Sequence, residues 1–90
     1  MDKIKYNTKL SFSNKAYGEL LNFLAEKSLG FGLETYWDHN GMGNIFYFDK
    51  EHEGAVKVSN KRFFGLVKRR VCLTDKVEQS IVDEIKNIIS

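Results

Sequence analysis

Proline is absent from all 90 residues of this chain. Slow X–Pro isomerisation therefore cannot limit folding, and glycine has to punctuate the elements instead. Its seven copies fall mostly where periodic segments end. Cysteine is nearly absent. Cys72 stands alone, so an internal disulfide is excluded and the core must hold without a covalent staple. A reducing, cytoplasmic setting is the expectation. No apolar run approaches the ~18 residues that read as a membrane span. The opening Met1-Asp2-Lys3-Ile4-Lys5 has no apolar stretch behind its charges, so it does not read as a secretory signal. Cys72, His39 and His52 lack the close paired spacing of structural zinc ligands, and no metal is expected. Neither an internal repeat nor a low-complexity segment is visible.

The chain does have aromatics, 13% of it, and an unremarkable 29% of charged residues. Ninety residues make one domain, with residues 1–90 expected to fold as a unit. Each aromatic can remove ~150–250 Å² from water, which helps a core this small. Net charge is only +2, but the charges are sorted along the chain. Residues 34–53 hold Glu34, Asp38, Asp49, Glu51 and Glu53 against Lys50. Residues 54–74 hold Lys57, Lys61, Arg62, Lys68, Arg69 and Arg70 and no acid. Sorting of this kind can build a surface field that attracts an anionic partner.

Periodicity predicts the elements. Ile4, Tyr6, Leu10 and Phe12 share one parity over residues 3–12, as in a strand with one buried face; Thr8 interrupts the apolar set. Ser13 and Asn14 are candidate caps for a helix over about residues 15–28, with Ala16, Tyr17, Leu20, Leu21 and Leu24 on its inner stripe and Gly30 beyond its end. A second strand covers residues 31–38, and Asp38-His39-Asn40-Gly41 signals a turn that Gly43 prolongs. Strands follow over residues 44–49 and 55–59, with a turn at Asn60-Lys61. Residues 62–73 are extended and basic, and Gly65 marks a bulge or a break into two short strands. Asp75 and Glu78 have the spacing of a capping box, with Thr74 as a rival cap, ahead of a helix striped by Val77, Ile81, Val82, Ile85, Ile88 and Ile89.

The order is β-α-β-β-β-α, with one extra short strand as the alternative. The expected class is α+β: a two-layer fold with a mainly antiparallel sheet and both helices on one face. The first strand, reached through a helix, would lie parallel to a neighbour or at an edge.

The other sheet face carries the functional candidates. Tyr36, Tyr47 and Phe63 or Phe64 would be partly exposed there, beside Lys61, Arg62, Lys68, Arg69 and Arg70. In a strand Lys68 and Arg70 share a face and Arg69 takes the other. Rings beside cations suit a protein contact, where Tyr, Trp and Arg dominate. They equally suit single-stranded nucleic acid, where bases stack and cations hold phosphates. The structural alternatives are cross-strand aromatic pairing and protection of an edge strand by charge. His39 and His52 both sit in predicted turns, and neither is given a nucleophile by the sequence. Gly30-Phe31-Gly32 and Gly41-Met42-Gly43 lack the third glycine and the strand-to-helix setting of a dinucleotide site, so no cofactor is expected.

From Asn14 onward, the α-β-β-β-α order resembles that of double-stranded RNA-binding domains and of some small toxin ribonucleases. The final helix opens Thr74-Asp75-Lys76-Val77-Glu78, where the RNA-binding domain has a lysine-rich motif, and the basic residues lie in the preceding strand. The expected function is a small non-catalytic module that docks on a protein partner through a basic, aromatic sheet face. Nucleic-acid binding by the same residues is the first alternative, and a small ribonuclease-like hydrolase using a histidine the second. A homodimer would form through the basic strand if that strand is an unpaired edge.

Overall fold

A computed structural model describes residues 5–38 and 41–90, apart from the side chains at positions 38 and 63. The expectations for Lys3, Ile4, His39 and Asn40, and for which way the Phe63 ring points, lie outside the described residues. The elements are β1 (Thr8–Phe12), α1 (Asn14–Lys27), β2 (Leu33–Asp38), β3 (Gly41–Tyr47), β4 (Ala55–Phe63), β5 (Leu66–Leu73) and α2 (Gln79–Ile89). The fold is α+β, and the extra strand is present. The five strands form one open sheet in the order β1-β5-β4-β3-β2, with every neighbouring pair antiparallel.

Both helices cover one face. Leu20 and Leu24 of α1 and Ile81 and Ile85 of α2 are buried against Phe46, Val56, Val58, Val71 and Leu73. These sheet residues occupy two adjacent cross-strand rows, Phe46–Val56–Leu73 and Asn44–Val58–Val71, so the apolar faces stack directly. Leu10 and Phe12 extend the core under β1. Truncating Leu20 or Leu24 to alanine would cost about 2–5 kcal/mol, the range for fully buried leucines.

Several boundaries depart from the sequence expectations. The first strand begins at Thr8, and Tyr6 crosses to the uncovered face, where its ring meets Lys57. β1 is an edge strand, antiparallel to β5. The basic strand β5 is therefore internal, which removes both the edge-protection reading of its charges and a homodimer through it. The last turn falls at Phe64-Gly65, with φ of 49° and 79°, and not at Asn60-Lys61. The observed register sets Val56 opposite Leu73 and Val58 opposite Val71; a turn at 60–61 would leave Val71 and Leu73 without β4 partners. β3 begins earlier than expected, because Gly41 and Gly43 are strand residues. A Cβ at Gly43 would stand 2.5 Å from the Tyr36 ring, and one at Gly41 1.8 Å from the Asn60 carbonyl oxygen. Each glycine makes room for a close cross-strand neighbour.

The caps differ too. Ser13 is the N-cap of α1 by backbone position without a side-chain cap bond. α2 starts at Gln79, after Val77 has already entered the core, so the Asp75–Glu78 box does not form. The Thr74 hydroxyl instead donates to the Glu53 carbonyl (2.8 Å) and accepts from the Ala55 N–H (3.0 Å), joining the sheet to the loop before β4. No helix among the described residues is long and apolar enough to cross a membrane.

Candidate functional site

Strand pairing assigns each candidate to a face. Opposite the helices, one row runs Glu34–Ile45–Lys57–Cys72–Lys9 and the next Tyr36–Gly43–Ser59–Arg70–Ser11. Beyond them Lys61 lies directly opposite Lys68. The uncovered face thus gathers Lys9, Lys57, Lys61, Lys68 and Arg70. Among the described side chains of these rows, Glu34 is the acid that shares it. Like charges placed directly across a strand pair disfavour pairing.

The loop part of the acidic block lies elsewhere. Asp49, Glu51 and Glu53 lie in the loop that precedes β4, whereas Lys61 and Lys68 flank the far end of the same strand pair. β4 spans Ala55–Phe63, and at ~3.3 Å per residue its ends stand roughly 26 Å apart. That is several times the ~8 Å Debye length at physiological salt, so the loop cannot neutralise the basic end. Within the loop Asp49 is committed locally. Its carboxylate accepts from the N–H groups of Glu53 (3.0 Å) and Gly54 (2.7 Å). Burial alone would raise its pKa, but these backbone donors, with those of His52 and Glu51, outweigh it and hold the group below the usual carboxylate range.

The aromatic part of the face is less open than the sequence implies. Lys57 sits over the rings of both Tyr6 (5.5 Å) and Tyr36 (5.1 Å), and Tyr36 lies across Gly43. Tyr47 is only 4% exposed and stacks on His52 with centroids 4.0 Å apart. The His52 Nε2 is 2.9 Å from the Phe31 carbonyl oxygen, so that histidine pins the loop before β4 to the entrance of β2. Burial pushes the Tyr6 hydroxyl up to about 12, and the acidic groups nearby, Tyr47, Cys72, Tyr36 and Glu34, add to it. Burial also raises Tyr47, assisted by its hydrogen bond to Glu34 and by the charge of that carboxylate.

Two of the predicted cations are on the other face. Arg69 turns toward α1. Its Nε donates to Asn14 Oδ1 (2.5 Å), its Nη1 donates to Asn60 Oδ1, and its guanidinium covers the Tyr17 ring at 4.1 Å. Asn60 in turn donates to the Tyr17 hydroxyl (3.1 Å). Arg69 is therefore part of a clasp between strand and helix. Arg62 is exposed on the helix side beyond the clasp, opposite Val67. Phe64 occupies the β4–β5 turn, 90% exposed and in the left-handed region, a conformation bulky side chains seldom adopt. Trp37 is 76% exposed at the tip of β2. With Met42, Val67 and Tyr17 these residues border a wide shallow groove of about 780 Å³ at the sheet's end.

The face therefore brings together Tyr36, Lys61, Lys68 and Arg70, with Tyr47 sunk beneath its border, and separates Arg62, Phe64 and Arg69 from them. Lys9 and Lys57 also belong to it. The signal for both was the alternation itself, since Lys9 is out of phase with partly buried Leu10 and Lys57 with buried Val56 and Val58. Tyr6 had no such signal, because its parity matches the buried set. Cys72 is a buried, free thiol on this face. Among the described residues no group of three His, Cys, Asp or Glu side chains is placed to hold a metal ion. Comparison of the chain with protein-family models, with curated proteins and with solved structures finds no match.

Proposed function

We propose that this chain is a small non-catalytic module that docks on an acidic protein surface through the uncovered face of its sheet. The observation that carries this reading is the grouping of Lys9, Lys57, Lys61, Lys68 and Arg70 on one face, with Lys61 and Lys68 at the end of β4 away from the acidic loop. Charge complementarity of this kind accelerates encounter and selects among partners. Phe64, exposed at the adjoining β4–β5 turn, supplies an apolar anchor of the kind such contacts favour. A cytoplasmic setting accords with the free thiol of Cys72.

Nucleic acid is the second reading, because the same cations could contact phosphates. It is less well supported, since bases need open ring faces beside the cations. The exposed Phe64 and Trp37 stand at the sheet's end, while the tyrosines of the basic face are engaged: Tyr6 and Tyr36 by Lys57, and Tyr47 by stacking on His52. The hydrolase reading has less again to stand on: His52 is engaged with Tyr47 and Phe31.

Two probes separate the readings: a fluorescent glutamate-rich peptide and fluorescent single- and double-stranded oligonucleotides, titrated over a salt series. Binding of the peptide, lost in a Lys61→Glu/Lys68→Glu/Arg70→Glu variant that retains its thermal unfolding, is the expected result. Tight oligonucleotide binding with a steep fall in log affinity against log salt would replace the protein reading with the nucleic-acid one. No binding of either probe at low salt would remove the basic face as a docking site.

A further inference from the structure

We infer that β2 is an interface strand that pairs with β2 of a second copy, joining two sheets into one of ten strands. This rests on the edge geometry and not on the basic face.

β2 is one of the two sheet edges, and its sequence Leu33-Glu34-Thr35-Tyr36-Trp37-Asp38 has no lysine, arginine or proline. Edges are normally blunted by such residues; the opposite edge, β1, carries Lys9. The helix layer stops short of β2, leaving Leu33 55% exposed and Trp37 76% exposed on the helix side of the strand. An uncovered edge with two large apolar side chains is a site for strand addition.

The pairing of β2 with β3 sets the phase of its free side. The Tyr47 N–H donates to the Gly32 carbonyl (3.1 Å), so position 32 turns its polar backbone groups toward β3. By alternation Glu34, Tyr36 and Asp38 do the same, and Leu33, Thr35 and Trp37 direct theirs outward. An incoming antiparallel strand must bring outward-directed residues to face them. A twofold axis through Thr35 does so with three hydrogen-bonded pairs, Leu33 to Trp37, Thr35 to Thr35 and Trp37 to Leu33, each exchanging two bonds.

Packing selects the same register. With the axis at Thr35, Glu34 lies across from Tyr36 on the uncovered face, where its carboxylate already has the Tyr47 hydroxyl as a partner. With the axis at Tyr36, Trp37 would face Thr35 and not Leu33, and the apolar pair would be lost. On the helix side the Thr35 register packs Leu33 on Trp37 twice, an apolar contact made from two exposed groups. The axis is perpendicular to the sheet, so both basic faces lie on the same side and form one continuous cationic surface.

Sedimentation velocity across the micromolar range is the test, with fluorescence of Trp37, the chain's single tryptophan, as a local readout. The expected result is a doubled mass and a blue shift as concentration rises. Leu33→Lys should return the chain to a monomer whose thermal midpoint matches that of the parent at dilutions where it too is monomeric. Thr35→Pro should do the same, because the lost N–H points away from β3. A Thr35→Cys variant should cross-link to itself under mild oxidation: facing positions in a hydrogen-bonded pair are about 5.5 Å apart at Cα, inside the roughly 4.4–6.8 Å that a disulfide spans. Glu34→Cys should not, its twin being displaced along the strand. A monomer at every concentration overturns the inference. So does a dimer that Leu33→Lys leaves intact, or in which Thr35→Cys fails to cross-link.

Discussion

Replacing Arg69 with alanine discriminates sharply between a structural and a docking arginine. The substitution removes two hydrogen bonds, to Asn14 Oδ1 and Asn60 Oδ1, and the stacking of guanidinium on Tyr17. Hydrogen bonds to charged groups contribute about 1.5–3 kcal/mol each, and a cation over an aromatic ring about 0.5–1 kcal/mol where solvent reaches it. The Asn14 contact is exposed, and water can replace it. The Asn60 contact is partly buried, and its loss leaves Asn60 holding only the Tyr17 hydroxyl. We expect a net loss of about 2 kcal/mol, with the Asn60 bond the largest part. For a domain of this size that lowers the thermal midpoint by roughly 8–16 °C. Urea unfolding followed by circular dichroism should show a lower midpoint with an unchanged slope, since the surface exposed on unfolding is the same. Arg70→Ala, one residue away on the uncovered face, should move the midpoint by less than about 0.5 kcal/mol, the usual range for surface changes. An Arg69→Ala/Asn60→Ala cycle should return a coupling of about 1 kcal/mol. Equal midpoints for the Arg69 and Arg70 variants, or a cycle with no coupling, would refute the clasp and return Arg69 to the pool of docking residues.

The pH dependence of stability has two expected limbs. Tyr6 is held neutral in the fold to about 12 against an ordinary 10.0; its contribution is therefore intact below pH 10 and is lost as pH rises from there toward 12, where the unfolded state releases the proton first. Tyr6→Phe should flatten that alkaline limb in a set of thermal melts. Asp49 behaves in the opposite sense. Its folded pKa is depressed, so its contribution is present above the ordinary carboxylate value and disappears as pH falls through the folded one. Asp49→Asn should lower the midpoint at neutral pH and reduce the acid dependence.

Much of this fold was legible because side-chain direction in a strand has period two. Parity alone put Lys68 and Arg70 on one face and Arg69 on the other, and Tyr36 opposite Leu33 and Trp37. The misplaced turn did not spoil these assignments, since moving it from 60–61 to 64–65 shifts the β4–β5 register by an even number of residues. Tyr6 was misread because a strand that begins at Thr8 imposes no phase on the residue two places before it.

The sequence by itself determined the α+β class, the helical stripes, the strand faces and the sorting of charge into two blocks, all of which follow from local periodicity and composition. Tertiary structure alone decided that β5 is internal and β2 an edge, that Arg69 serves Tyr17 and Asn60, that Lys57 covers Tyr6 and Tyr36, and that the acidic loop lies a strand's length from Lys61 and Lys68. These depend on which strands become neighbours. Neighbours are chosen by the burial of Val56 and Val58 against Leu73 and Val71, contacts between residues more than a dozen positions apart that no local pattern encodes.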